Sequence, residues 1–223
     1  MRRALAGLAV LAIAASGCAA DPPSAVVGLS VTGCAPQSEH GSGMFVEVDG
    51  QEKPLVLTSA HVVAGAREII VTRGDAATAG RIVAFDPDMD LAVIEVDGFG
   101  AAHPWKVDSS RVDEGATGAA YVVRDGRTVS LPITVRRRVR IRTEDVYLEG
   151  ETLRPGYELG AVIEAGDSGG AVVVDGRVIG VLWARSRRAD DRAYAIDPVR
   201  AGDLIRAQLR TGDLSGVDPS RCP

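Results

Sequence analysis

The sequence predicts an all-β protein of two barrels with one C-terminal helix, and three observations support this fold class. Short β-branched runs recur about every ten residues along most of the chain, separated by Gly and Asp turns. Many short strands at this spacing are typical of sandwiches and barrels rather than of alternating strands and helices. The stretch 98–104 has the composition of a loop and divides the strands into two groups. Helical periodicity occurs only at 198–209.

The predicted strands are short and apolar. Those before the loop lie at 25–31, 44–48, 55–58, 68–71, 80–84 and 91–96. Those after it lie at 118–123, 129–135, 139–141, 146–148, 160–163, 171–174, 178–183 and 193–196. Asp-Gly pairs, which favour tight hairpins, separate several of these runs, at 49–50, 125–126 and 175–176. The helix is expected to take Asp197 as its N-cap and Pro198 as its first residue. Its predicted buried face consists of Ala201, Leu204, Ile205 and Leu209.

Composition describes an ordinary globular chain. The 223 residues are 46% hydrophobic and 25% charged, so the chain can bury a substantial core. The formal net charge is −5, from 25 basic and 30 acidic residues. Phosphate binding needs a basic surface, so this balance argues against nucleic acid as a partner. No cluster of His and Cys residues has the spacing of a metal site, so we expect neither a metal nor another cofactor.

The N-terminal segment has the pattern of an export signal. Arg2 and Arg3 precede an apolar stretch at 4–15 that ends in small residues. This stretch is too short to span a bilayer, because a spanning helix needs about 20 residues. We therefore expect residues 1–17 to be a signal peptide.

The end of this segment, Ala15-Ser16-Gly17-Cys18, resembles the signal of bacterial lipoproteins, in which the cysteine is lipidated and becomes the N-terminus. Such signals usually carry leucine where this chain has Ala15. Lipid anchoring to a membrane through Cys18, with residues 18–23 as a tether, is the preferred hypothesis, and simple secretion is the alternative.

Export would also place the two remaining cysteines, Cys34 and Cys222, in an oxidising environment. An even pair in an oxidising compartment favours a disulfide. This bond would close nearly the whole fold into one loop, which is worth about 4–5 kcal/mol in the chain-entropy account. Two free thiols at the ends of the fold are the alternative.

The most informative segment is GDSGG at 166–170. Glycines around a serine permit tight turns in which neighbouring N–H groups point at one spot. Serine becomes a nucleophile when a base, normally histidine, takes its proton. The segment also fits the G-x-S-x-G turn of α/β-hydrolases, but those enzymes place a helix and a histidine after the serine. Here no histidine follows Ser168 and a strand is expected next, so that interpretation is rejected.

Of the three histidines, His61 is the best candidate for the base. It follows the apolar strand at 55–58, which would hold an imidazole at the edge of a core. His40 lies in a polar segment and His103 in the loop between the barrels, so both are expected on the surface.

The acid that best completes the set is Asp90, which directly precedes the apolar strand at 91–96 and is therefore expected to be buried against His61. The neighbouring Asp86 and Asp88 have the pattern of turn residues. The resulting order is histidine, aspartate, serine, which is the chymotrypsin order.

At these positions the sequence resembles the trypsin-like serine protease family. The matching motifs are TSAHVV at 58–63, DLA at 90–92 and GDSGG at 166–170, and the resemblance extends over about 25–200. It is greatest to bacterial exported and membrane-anchored members, whose glycine-rich entry to the histidine strand resembles residues 41–46. The family implies the chymotrypsin-like fold of two six-stranded antiparallel β-barrels with a C-terminal helix. The protease domain would cover residues 24–223, with barrels at about 24–98 and 105–197 and the helix at about 198–210.

The resemblance also implies a mechanism, the hydrolysis of peptide bonds in a protein or peptide substrate through an acyl-enzyme. His61 would deprotonate Ser168 and later protonate the leaving amine, while Asp90 would hold the imidazole tautomer. Backbone N–H groups of Gly166 and Ser168 would form the oxyanion hole, each donor contributing about 3–4 kcal/mol in the transition state.

Motif alignment puts the base of the substrate pocket near Val162 and one wall at 181–185. Val162 carries no charge, so a preference for Lys or Arg is not expected. Trp183 would narrow the pocket in favour of small or medium apolar side chains, or else belong to the core. The wall residues at 182–184 carry no hydroxyl group, whereas members of the family often have one here that supports the catalytic aspartate.

Some alternatives stay open at this point. In zymogen-type members, the residue equivalent to Asp167 pairs with a freshly cut N-terminus, which residues 26–28 resemble, although an ordinary first strand is preferred. A catalytically silent binding or scaffold lipoprotein on the same fold is the main alternative to an endopeptidase, and an esterase is a third. No PDZ-type domain is expected, because only about a dozen residues follow the helix.

Overall fold

The computed structural model describes residues 22–34, 39–98, 103–107 and 112–223. It contains two six-stranded antiparallel barrels, each closed by strand pairing around the full ring. This confirms the predicted fold class. The expected signal peptide, Cys18 and most of the loop between the barrels lie outside the described residues.

Barrel one has the strand order β1-β2-β3-β6-β5-β4. Its strands are β1 (Val26–Thr32), β2 (Glu39–Val46), β3 (Leu55–Thr58), β4 (Glu68–Arg73), β5 (Ala76–Asp86) and β6 (Leu91–Val96). A short 3-10 helix at Pro22–Ala25 precedes β1, and the one-turn helix α1 (Ala60–Val63) follows β3.

Barrel two has the order β10-β11-β12-β9-β8-β7. Its strands are β7 (Thr117–Arg124), β8 (Arg127–Glu144), β9 (Glu151–Gly160), β10 (Ala171–Val174), β11 (Arg177–Arg185) and β12 (Arg192–Ile196). Two short helices follow, α2 (Pro198–Ala201) and α3 (Asp203–Thr211).

Three hydrophobic clusters hold the barrels together. One fills barrel one around Phe45 and Phe85, and another fills barrel two around Tyr157 and Leu159. The third, which we call the inter-barrel cluster, combines residues of both barrels: Ala25, Val26, Met44, Val46, Leu55, Leu57, Ala84, Leu91, Val93, Trp105, Ala171, Val173, Val178, Val181, Ile196, Ala201 and Ile205. Apolar burial across this interface fixes one barrel against the other.

Two of the three Asp-Gly pairs form the predicted tight hairpins. Asp125 and Asp175 have φ of 50°, and the glycine after each has φ of 72°. Positive φ at both central residues is typical of the type I′ turn. The pair at 49–50 instead lies in a longer loop between β2 and β3.

The strand predictions were wrong in the β8–β9 region. The structure has one continuous β8 where two strands were expected, a turn at 146–148 and a loop after Gly160. The turn forms because the Asp145 carboxylate accepts the N–H groups of Tyr147 and Glu149. Strand β9 was missed because Pro155 and the glycine after it are typical strand breakers.

The predicted helix is interrupted at Gly202 and therefore forms as α2 and α3. Asp197 caps α2 as predicted, accepting the N–H groups of Val199 and Arg200. The prediction that Leu204 belongs to the buried face was wrong, because Leu204 is 40% exposed. Gln208 is buried instead.

The structure contains the Cys34–Cys222 disulfide, with a Cα–Cα distance of 5.6 Å and a sequence separation of 188 residues. It joins the end of β1 to the C-terminal segment. Beside it, the N–H of Gly65 donates to the carbonyl oxygen of Pro219 at 2.7 Å.

Candidate active site

The predicted catalytic residues lie on three segments that connect strands near the junction of the barrels. His61 and Asp90 are hydrogen-bonded to each other, whereas Ser168 Oγ donates to the carbonyl oxygen of Trp183. His61 lies in α1 directly after β3, and Asp90 lies in the turn that leads into β6. Strands β3 and β6 are neighbours, with Thr58 opposite Ala92, so the turns beyond them meet at one edge of barrel one. Ser168 lies in the loop between β9 and β10 of barrel two.

His61 is held by Asp90 through two hydrogen bonds. The imidazole Nδ1 lies 2.9 Å from Asp90 Oδ2, and the backbone N–H of His61 donates to Asp90 Oδ1 at 2.8 Å. The Asp90 side chain is 3% exposed and the His61 side chain 36% exposed. Because the carboxylate accepts from Nδ1–H, this arrangement leaves Nε2 as the basic nitrogen.

The two groups shift each other's proton affinity. Burial is the largest effect on both and opposes their charged forms. The charge and hydrogen bonds of His61, with the charge of Arg154, nevertheless hold the pKa of Asp90 below its usual range. The charge and hydrogen bond of Asp90 outweigh burial and raise the pKa of His61.

The loop that carries Ser168 depends on its glycines. Gly166 has φ of 92° and Gly169 has φ of 86°, a region that L side chains rarely adopt. A Cβ on Gly169 would lie 2.0 Å from the carbonyl oxygen of Ser42. The loop is fixed to both barrels, because Ser42 N–H donates to Ser168 O at 2.8 Å and Gly169 N–H donates to Leu182 O at 2.7 Å.

The same loop presents two free N–H groups. Within the described ranges, the N–H groups of Gly166 and Ser168 have no protein acceptor, whereas those of Asp167, Gly169 and Gly170 do. Backbone donors without a protein acceptor are what an oxyanion hole requires.

Asp167 is fully buried and has an internal counter-ion. Arg124, at the end of β7, donates through Nε to Oδ1 at 2.8 Å and through Nη2 to Oδ2 at 2.6 Å. The N–H of Glu164 donates to the same carboxylate at 2.7 Å. Val26, the start of the stretch that resembles a cut N-terminus, is buried in β1 opposite Met44, so it forms an ordinary first strand.

Trp183 lies beside the His61–Asp90 pair, and its role in the substrate pocket stays a prediction. Its indole Nε1–H donates to Asp90 Oδ2 at 2.5 Å, and its carbonyl oxygen accepts from Ser168 Oγ at 3.4 Å. Arg154 of β9 also reaches Asp90, at 3.4 Å from Nη1 to Oδ2. The sequence did not predict this arginine as a site residue, because it lies in β9, which was not predicted as a strand on account of its Pro155-Gly156 pair.

Val162, the predicted pocket base, is 62% exposed. It lines a shallow depression together with Arg124, Leu131, Pro132 and Asp191, and neither His61 nor Ser168 is part of that lining. Its role in substrate selection stays a prediction. His40 and His103 are exposed, as predicted.

Across the described parts of the chain, no group of three or more His, Cys, Asp or Glu side chains is arranged to hold a metal ion. Nor does this part of the structure include a helix of the length and apolarity that crossing a membrane requires.

A two-barrel fold with a hydrogen-bonded His–Asp pair and a serine flanked by glycines at the barrel junction defines a class of hydrolases. Residues 41–181 match the family described as the trypsin-like peptidase domain. The match covers more than half of the chain, and the chain therefore belongs to this family.

Two curated relatives are the serine protease Rv3671c of Mycobacterium tuberculosis and a probable periplasmic serine endoprotease, DegP-like, of Pseudomonas putida. The first is 29% identical over 210 residues, which is 89% of this chain and 47% of the relative. The second is 30% identical over 180 residues, which is 78% of this chain and 36% of the relative. The chain thus spans less than half the length of either relative.

Solved structures give the same fold. The active form of the Rv3671c protease of M. tuberculosis aligns over 100% of this chain and 99% of that chain, with a TM-score of 0.77 and 23% identity. The HtrA-type protease AlgW with a tripeptide aligns over 87% of this chain and 64% of that chain, with a TM-score of 0.72 and 26% identity. The fold is therefore chymotrypsin-like.

Proposed function

We propose that this protein is a serine endopeptidase that hydrolyses peptide bonds through an acyl-enzyme, with His61, Asp90 and Ser168 as its catalytic triad. The observation that carries the proposal is the His61–Asp90 pair, whose two hydrogen bonds leave Nε2 as a base at the barrel junction. The glycine-rich loop supports it, because it carries Ser168 and the N–H groups of Gly166 and Ser168, which have no protein acceptor in the described residues.

In this mechanism His61 Nε2 takes the proton of Ser168 Oγ as that oxygen attacks the scissile carbonyl carbon. The developing oxyanion accepts the N–H groups of Gly166 and Ser168. His61 then donates its proton to the leaving amine, and water hydrolyses the resulting ester by the same steps. Buried Asp90 stabilises the imidazolium that forms in between.

The substrates we propose are proteins or peptides outside the cytoplasm, with the enzyme anchored to a membrane by a lipid on Cys18. The export pattern at 1–17 supports this location, as does the word periplasmic in the name of the P. putida relative. Mass spectrometry of the mature N-terminus tests the anchor. We expect a lipid-modified Cys18 and, in Cys18→Ser, loss of the protein from the membrane fraction; an unmodified wild-type Cys18 would favour simple secretion.

Labelling with a fluorophosphonate probe tests the activated serine. Wild type should be labelled, whereas Ser168→Ala and His61→Ala should not. Two exposed residues of the same types supply matched controls, Ser130→Ala and His103→Ala, which should be labelled like wild type. Labelling should be followed by hydrolysis of a casein substrate. A folded wild type that is not labelled would contradict the proposal and favour a silent binding protein on the protease fold.

A further inference from the structure

Asp90 has two hydrogen-bond donors besides His61. The indole Nε1–H of Trp183 and the Nη1 of Arg154 both reach Oδ2, the oxygen that also faces the imidazole, at 2.5 and 3.4 Å. Each donor belongs to barrel two, whereas Asp90 and His61 belong to barrel one. The carboxylate is therefore positioned from across the barrel junction.

Arg154 is built into this junction. Its side chain is 2% exposed, and Nε donates to the carbonyl oxygen of Asp88 at 2.7 Å. Nη2 donates to the carbonyl oxygens of Pro87 at 3.3 Å and Glu144 at 3.0 Å. Residues 87 and 88 belong to the turn that carries Asp90, so this one guanidinium holds both the turn and the carboxylate.

Trp183 and Arg154 also support each other. The guanidinium carbon lies 5.0 Å from the centroid of the Trp183 ring, within the range of a cation–π contact. The indole N–H gives Asp90 a hydrogen bond in a chain whose segment 182–184 has no hydroxyl to do so. A buried carboxylate needs such donors, because an unpaired charge in the interior is costly.

We propose that Trp183 and Arg154 are positioning residues that hold the Asp90 carboxylate in the orientation that His61 requires. This inference rests on the proposed triad and deepens it. The indole N–H and the guanidinium act through Asp90 and need no contact with substrate.

The charges around the His61–Asp90 pair predict the direction in which the pKa of His61 should change. His61 faces Asp90, Arg154 and Glu39, and the positive charge of Arg154 opposes the imidazolium. Arg154 itself faces further acids at the end of β5 and in the neighbouring turns: Asp86, Asp88 and Asp145. Removing a donor from Asp90 leaves more of its charge available to the imidazolium, so the pKa of His61 should rise further in variants of either residue.

The primary test is Trp183→Phe, which keeps an aromatic ring near Arg154 and removes the N–H together with the pyrrole part of the indole. We expect kcat per fluorophosphonate-titrated site to fall about 10- to 100-fold, as for the loss of a hydrogen bond to a charged group, with a much smaller change in KM. The pH midpoint of kcat/KM should move upward. The matched control is Trp105→Phe, the same change at the chain's other tryptophan, in the inter-barrel cluster.

Arg154 is tested by a pair of variants. Arg154→Gln removes the charge and should raise the pH midpoint by about one unit. Arg154→Lys retains the charge and should restore the wild-type midpoint even if its kcat stays low. Equal midpoints in wild type and Trp183→Phe, with equal kcat per titrated site, would overturn the inference.

The inference can fail separately from the proposed function. Absence of labelling in wild type would remove the triad proposal itself. The positioning of Asp90 is then still decided by NMR titration of the His61 ring nitrogens in wild type and Trp183→Phe, which requires no activity. A higher His61 pKa in the variant supports the inference, and an unchanged one contradicts it.

Discussion

The Asp90 side chain organises the candidate site through backbone as well as side-chain geometry. Its φ is 56°, in the left-handed region that aspartate tolerates better than most residues. This turn directs the carboxylate inward against His61 while the chain enters β6 at the next residue. A short polar side chain is therefore needed here both for its carboxylate and for its tolerance of this conformation.

Asp167 offers a second test at the residue scale. Its side chain is 0% exposed, and Arg124 is its bidentate partner. Arg124→Ala leaves a buried charge unpaired, so we expect the free energy of unfolding to fall by about 3–5 kcal/mol in chemical denaturation. Fluorophosphonate labelling should fall with it, because the serine loop loses one of the contacts that fix it.

The double variant Arg124→Ala/Asp167→Asn should recover part of that loss, since the remaining side chain is neutral. The matched control is Arg142→Ala, which breaks an exposed pair with Glu151 and should cost less than about 1 kcal/mol. Equal costs for Arg124→Ala and Arg142→Ala would show that Asp167 does not depend on its counter-ion.

At the scale of elements, α3 completes the edge of β5. Strand β4 pairs with β5 only over Ala76–Ala79, so the later part of β5 lacks a neighbouring strand on that side. There the buried Gln208 side chain accepts the N–H of Phe85 at 2.8 Å and donates to its carbonyl oxygen at 3.0 Å. One amide side chain thus takes the place of a strand.

Gln208→Ala should leave both backbone groups of Phe85 without partners. We expect thermal and urea unfolding to report a loss of about 2–4 kcal/mol. Gln51→Ala removes a single exposed hydrogen bond from the same helix, to Leu209 O, and should cost less than about 1 kcal/mol. A loss in Gln208→Ala no larger than in Gln51→Ala would contradict this role.

Elements also differ in how well the sequence predicts them. Strands β3, β6 and β10 are short, largely apolar runs bounded by polar residues, proline or glycine, and their predicted limits agree with the structure. Strands β8 and β9 carry alternating arginines and the Pro155-Gly156 pair, so no local pattern marked them as one hairpin. Local motifs therefore predicted His61, Asp90 and Ser168, whereas Arg154 required knowledge of which distant strands meet.

At the scale of the whole molecule, the Cys34–Cys222 disulfide constrains most of the chain. The bond closes a loop across a sequence separation of 188 residues, which limits the unfolded chain far more than the folded one. The double variant Cys34→Ser/Cys222→Ser should therefore lose about 5 kcal/mol in free energy of unfolding. Dithiothreitol should lower the stability of wild type and leave the variant unchanged; equal stabilities under oxidising conditions would rule out this contribution.

The Cys34–Cys222 bond also turns most of the polypeptide into a covalent ring. Cutting a ring once linearises it without releasing a piece, so a nick in the turn at 145–150 would leave one molecule of unchanged composition apart from one added water. Two fragments would separate only after the disulfide is reduced and the strands are unfolded. In the oxidising environment proposed for this protein, a single backbone cut would therefore leave the two pieces covalently joined.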